Sequence, residues 1–211
     1  MPHLVLLGDS IFDNSAYTRG GPDVVSQVRR ILPEGWTASL SAVDGATTGD
    51  IARQVHALPT EATHLVLSVG GNDVLMEASV LDRPASSTAQ AVGFLADVAL
   101  QFEKHYRSAI AACMAPGLPV AVCTIYNGNF PDLQYQRVVS TALMVFNDAI
   151  LRVAIESRLS VIDLRSVCAI PEDYANPIEP SSVGGEKIAR AMVTLVTGPN
   201  LNGEATRVVA G

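Results

Sequence analysis

Apolar residues are spaced along this chain in two ways, in short unbroken runs and in stripes three or four positions apart, and the two patterns alternate. An unbroken apolar run at residues 4–7, and largely apolar runs within 63–69, 119–125 and 160–164, stop at Gly, Asp, Asn or a polar turn. Such runs predict strands buried on both faces. Residues 36–43 predict a further strand, ending at Asp44-Gly45. Between the strands, Val24, Val25, Val28 and Ile31 share one helical face, as do Ile51, Val55 and Leu58. Long helices are predicted over 88–114 and 133–158, the second with Val139, Leu143, Phe146, Ile150 and Val153 on one side. A last helix starts near Ser182 and carries Ile188, Met192, Leu195 and Val196. Thr47 and Thr48 can cap the short helix that follows them. Residues 78–88 and the stretch containing Pro171, Pro177 and Pro180 predict loops.

Five strands alternating with helices imply a parallel sheet with right-handed crossovers and helices on both faces. The predicted fold is α/β, three-layered and flavodoxin-like, with five strands in the order 2-1-3-4-5. One domain spans 1–197, and the Gly-, Asn- and polar-rich residues 198–211 predict a flexible C-terminal tail.

In that fold every strand-to-helix loop lies on one edge of the sheet. The first strand delivers Gly8-Asp9-Ser10 there, the second Asp44-Gly45-Ala46, the third Gly71-Asn72-Asp73, and the fifth leads to Asn176-Pro177-Ile178-Glu179-Pro180. A hydroxyl, a glycine amide, an asparagine amide and a carboxylate are the parts an acyl transfer needs. Attack on an ester carbonyl develops an alkoxide, which fixed N–H donors stabilise by about 3 kcal/mol each. Taken singly these residues have ordinary structural uses, as turn glycines and helix caps. Their coincidence at equivalent strand ends is what points to a site.

Composition narrows the partners. The 211 residues are 48% hydrophobic and 17% charged, and the net charge of -7 is spread without acidic or basic blocks. That pattern argues against nucleic acid or an anionic membrane as a partner. No leader-like segment and no apolar stretch long enough to span a bilayer is expected, and a cytoplasmic location is the expectation. Cys113, Cys123 and Cys168 are odd in number and lack metal-like spacing, so they predict reduced packing residues and no metal site.

The chain resembles the SGNH (GDSL-type) hydrolases from His3 to about Val196. The resemblance rests on Gly-Asp-Ser at 8–10, Gly45 in Val-Asp-Gly-Ala-Thr-Thr, Val-Gly-Gly-Asn-Asp at 69–73, and the closing residues 180–189. It implies Ser10 as nucleophile, with Gly45, Asn72 and the Ser10 N–H as oxyanion donors, and no cofactor. The family carries Asp-x-x-His before the closing proline, and this chain has Asn176-x-x-Glu179. The four histidines, His3, His56, His64 and His105, all lie in the first half of the chain, on strand starts and helices. Glu179 is therefore the candidate base. A carboxylate is weaker than imidazole by about 2 pKa units at reference values, and burial can recover part of that. Asn176 is expected to orient it by donating a hydrogen bond, without the repulsion a second carboxylate would bring. Asp9, Asp73, Tyr126, Asn127 and Tyr174 are the candidate substrate-binding residues. A small-molecule ester or acetyl substrate is expected, and the alternative is a binding protein that keeps the fold with an impaired catalytic site. These residues specify neither the acyl and alcohol groups nor the oligomeric state.

Overall fold

A computed structural model describes residues 1–198, 201 and 206–211. β1 (His3–Gly8), β2 (Thr37–Leu40), β3 (His64–Ser68), β4 (Val120–Cys123), β5 (Ser160–Ile162) and β6 (Val208–Val209) form one sheet in the order β2-β1-β3-β4-β5-β6. Every neighbouring pair is parallel. The pleat sends alternate residues of β1 to opposite faces. Leu4 and Leu6 pack with α1 (Val24–Ile31) and α7 (Ser182–Val196), while Val5 and Leu7 pack with α2 (Ile51–His56), α4 (Thr88–Met114) and α5 (Leu133–Glu156). That is the three-layer arrangement, with β1 buried throughout, one strand in from the β2 edge of the sheet.

The differences from the sequence reading are local. Residues 71–82, of which 78–82 fell in an expected loop, hold α3 (Gly71–Met76) and a 3-10 turn over Ala78–Asp82. A one-turn α6 (Leu164–Val167) follows β5, and its few residues are too short to carry a helical period. The expected tail contributes β6, a two-valine strand on the sheet edge; residues 199, 200 and 202–205 of that stretch lie outside those described. α5 is 24 residues long and apolar enough in composition to cross a bilayer, contrary to expectation. Its apolar stripe, Phe146, Ile150 and Val153, is buried against the sheet.

At the carboxyl edge the strand ladder is finished by side chains. Gly8 has φ +125°, and a Cβ there would sit 1.8 Å from the Ser68 carbonyl oxygen of β3. Only glycine lets the chain turn this close to its neighbour. Gln54 of α2 then takes over the pairing: the Gly8 N–H donates to its Oε1 at 2.8 Å and its Nε2 donates to the Gly8 carbonyl at 2.8 Å. Asn147 of α5 clamps Ile125, just past β4, through the same pair of bonds, both 2.8 Å. The edge that carries Ser10 is thus fixed from the helical layer.

Gln54→Leu keeps the volume of the side chain and strands the buried Gly8 N–H, while the Gly8 carbonyl keeps the Val43 N–H at 3.0 Å. At about 1–3 kcal/mol for an unsatisfied group, urea unfolding is expected to show a loss of roughly that size. A loss within experimental error would show that the clamp does not hold this edge.

Candidate active site

Two loops meet at the sheet edge. The turn after β1 presents Ser10, and the segment between the 3-10 turn Pro171–Asp173 and α7 presents Glu179. The Ser10 hydroxyl donates to Glu179 Oε1 at 3.1 Å, and both residues are buried, 6% and 5% exposed. The other carboxylate oxygen, Oε2, is buried with no hydrogen-bond partner among the described residues.

Backbone bonding fixes the Glu179 loop. Tyr174 and Pro180 bridge its base, and the Ala175 N–H donates to the Glu179 carbonyl at 2.9 Å. Asn176 Oδ1 accepts the N–H groups of Ile178 and Glu179, at 2.9 and 3.0 Å. The chain leaving β4 is stitched to the same loop: the Tyr126 hydroxyl donates to the Ile178 carbonyl at 2.6 Å, and the Asn129 N–H to the Pro177 carbonyl at 2.8 Å. Asn14, fully buried, donates to the Pro180 carbonyl at 3.3 Å while its Oδ1 accepts the Val24 N–H. One side chain thereby joins the Ser10 loop to the Glu179 loop. Below them, buried Asp173 pairs with Lys187 at 2.7 Å and accepts the Ala169 and Ile170 N–H groups.

The electrostatics follow from burial without a cation. Burial raises the Glu179 carboxyl to about 7, with Asp44 adding to the rise and the Ser10 hydrogen bond opposing it. Asp9 is raised to about 8, chiefly by burial, with the Ile11 N–H opposing and Glu179 and Asp73 adding. No Lys, Arg or His lines the cavity at Ser10. The histidines lie elsewhere: His3 and His64 open their strands, His56 ends α2, and His105 lies within α4.

Asn72 and Gly45 stand on the same edge as Ser10. Asn72, in the first turn of α3, donates to the Ala46 carbonyl at 2.9 Å, which binds the loop after β2 to α3. Gly45 adopts φ +80° in that loop, where a side chain would be strained although the space beside it is open. Among the described residues, neither the Ser10 nor the Gly45 N–H donates to a protein acceptor. Asp9, Tyr126 and Asn127 line the cavity as the sequence suggests.

Three expectations are corrected. Asn176 spends its carbonyl oxygen on backbone N–H groups and makes no hydrogen bond to the Glu179 carboxylate, because three residues of turn place it under the loop. Asp73 does not line the cavity; its carboxylate accepts both the N–H and the hydroxyl of Thr48, since one helical step turns it away from Asn72. Tyr174 is no wall either: its hydroxyl donates to the Cys168 carbonyl at 2.7 Å and its ring meets Tyr126 edge-on. Asn14, Gln54 and Asn147 were not singled out. Gln54 and Asn147 each interrupt or adjoin an apolar helical stripe, a signal that would have marked them as buried polar groups needing partners.

The family model for GDSL-like lipases and acylhydrolases matches residues 6–184. The chain belongs to that family. Among solved structures, it resembles an extracellular lipase from Streptomyces rimosus, at TM-score 0.68 and 15% identity over 94% of this chain and 100% of the other. The acetyl xylan esterase AlAXEase superposes with TM-score 0.67 and 20% identity, covering 92% and 99% of the two chains. A phospholipase A1 from Streptomyces albidoflavus gives 0.64 and 17%, covering 93% and 99%. At these identities the structures establish the GDSL fold. No curated protein matches the chain.

A carboxyl raised from 4.5 to about 7 binds its proton more tightly in the folded state. The stability it contributes is full below the unfolded pKa and is lost as pH rises through about 7. Glu179→Gln removes that loss. Its Tm relative to wild type is expected to climb between pH 5.5 and pH 8, ending a few degrees above. A constant difference across that range would show that Glu179 is not held against its charge.

Proposed function

We propose that the protein is a serine esterase in which Glu179 replaces the histidine base of its family. The observation that carries this is the Ser10 hydroxyl on Glu179 Oε1 at 3.1 Å, with that carboxyl raised to about 7. At this value the carboxylate is about as basic as a free imidazole. As Ser10 Oγ attacks the ester carbonyl carbon, its proton passes to Glu179. The oxyanion accepts hydrogen bonds from the Ser10 and Gly45 N–H groups and the Asn72 amide. Collapse of the tetrahedral intermediate breaks the bond to the alcohol, which takes the proton from Glu179. Water, deprotonated by Glu179, then releases the acid and restores Ser10.

Asp9 sets the upper limit of this chemistry. Raised to about 8, it resists ionising beside Glu179, because burial and the Glu179 charge both oppose a second negative charge in the site. Its ionisation at higher pH puts a second charge beside the developing oxyanion. A site lined by carboxyls and no cation favours a neutral ester over an anionic one. The reaction calls for no cofactor.

Hydrolysis of p-nitrophenyl acetate from pH 5 to pH 9 tests this. Ser10→Ala is expected to lower kcat/KM by about 10³-fold or more, and Glu179→Gln by roughly 10²–10⁴-fold. The wild-type profile should be a bell, about half risen near pH 7 and falling again around pH 8, following the two carboxyls. Full turnover in Glu179→Gln would remove the base assignment. Tight ligand binding with no Ser10-dependent turnover would instead favour a binding protein.

A further inference from the structure

We infer that the cavity beside Ser10 is an alkyl channel, and that the substrate is a neutral ester of a linear medium-length fatty acid. This rests on the esterase reading above and names the acyl group that reading leaves open. The cavity, about 110 Å³, begins at the strand ends and runs between α5 and the stretch from α3 to the start of α4. Asp9, Ser68, Asn72, Thr124 and Glu179 supply polar lining around the strand ends, and the exposed Glu77 lines it after α3. Beyond them Val139, Leu143 and Phe146 of α5 face Val80, Leu81 and Leu95. Val80, Leu81, Leu95 and Val139 are only half-buried, so their apolar surface is covered by the protein on part of its area and awaits a partner on the rest. An enclosed apolar wall continuous with a nucleophile is the setting in which chain burial contributes to binding.

The same cavity disfavours an acetyl-only fit and an anionic tail. An acetyl group would leave the α5 wall untouched. An anionic terminus would find no Lys, Arg or His along the lining and would be repelled by Glu77. The acyl half is the better occupant than the alcohol half. It stays bonded to Ser10 through the second step, whereas the alcohol must leave before water can enter.

The test is kcat/KM for p-nitrophenyl esters from acetate to dodecanoate, with octyl acetate as the alcohol-side control. A buried methylene is worth about 0.8 kcal/mol, so a rise of roughly fourfold per methylene is expected over the first few, then a plateau. Val139→Trp places an indole in the channel and should lower the octanoate-to-acetate ratio by about tenfold or more. Leu81→Gln, on the exposed wall, is the second variant should the first fail to fold, and should lower the same ratio. A profile that is flat or falls from acetate, with turnover still dependent on Ser10, overturns the channel and leaves the esterase standing. Preference for octyl acetate over ethyl octanoate, two esters of unactivated alcohols, overturns the acyl assignment. If no ester is turned over, calorimetry of Ser10→Ala with acetamide and octanamide decides. Tighter octanamide binding that Val139→Trp abolishes supports the channel, and equal weak binding of both overturns it.

Discussion

A carboxylate held out of water beside a serine, with no cation to compensate it, is the constraint around which this structure is arranged. Left to electrostatics, Glu179 would turn toward solvent, because desolvating its charge costs more than the single Ser10 hydrogen bond returns. The loop prevents this by being fixed at almost every backbone group. Asn176 holds it from within, Tyr126 and Asn129 from the β4 exit, Asn14 from the nucleophile loop, and the Asp173–Lys187 pair from below. None of these contacts touches the carboxylate. They fix the main chain, and the main chain leaves the side chain one direction to point.

Ser10 is held by the same strategy. Gly8 turns against Ser68 at a distance no side chain permits, Gln54 accepts its N–H, and Gln54 and the Val43 N–H share its carbonyl. Where a parallel sheet ends, backbone groups of the outgoing strands lose their ladder partners, and burial would leave them unsatisfied. Side-chain amides from the helical layer, Gln54 and Asn147, replace those partners without adding charge. A neutral clamp is suited to this edge, since any Lys or Arg there would pull Glu179 back toward the ordinary carboxylate range.

The strands, their order and the meeting of Ser10 with Glu179 were legible in the sequence because they follow from local signals. Apolar runs, glycines and strand ends lie within a few residues of each other, and parallel topology brings the ends to one edge. What escaped was the direction of individual side chains. Asn176 was assigned to the site by the register of the family's Asp-x-x-His and Asp73 by its place beside Asn72, and each instead serves the backbone or a neighbouring hydroxyl. Asn14 joins two loops far apart in the chain, which no local pattern encodes. The valine pair of β6 is too short to show a period, and the cavity is a shape left between helices rather than a property of any one of them.

The pairing of Asn176 with Glu179 has an electrostatic logic when the proposed reaction is followed as movement of charge. An imidazole base starts neutral, so attack by the serine creates a cation and an anion together. A carboxylate nearby stabilises that cation, which gives the family's Asp its use. A glutamate base starts charged and ends neutral, and the negative charge passes from Glu179 to the oxyanion without any charge being created. No cation appears for an acid at 176 to stabilise. A second carboxylate there would oppose Glu179 ionisation and the oxyanion alike, raising a carboxyl that burial has already brought to about 7. An uncharged residue at 176 removes that penalty, and its amide is free for the turn that places Glu179. In this light the two departures from the family pattern are one change in mechanism: the base supplies the charge that the oxyanion donors receive.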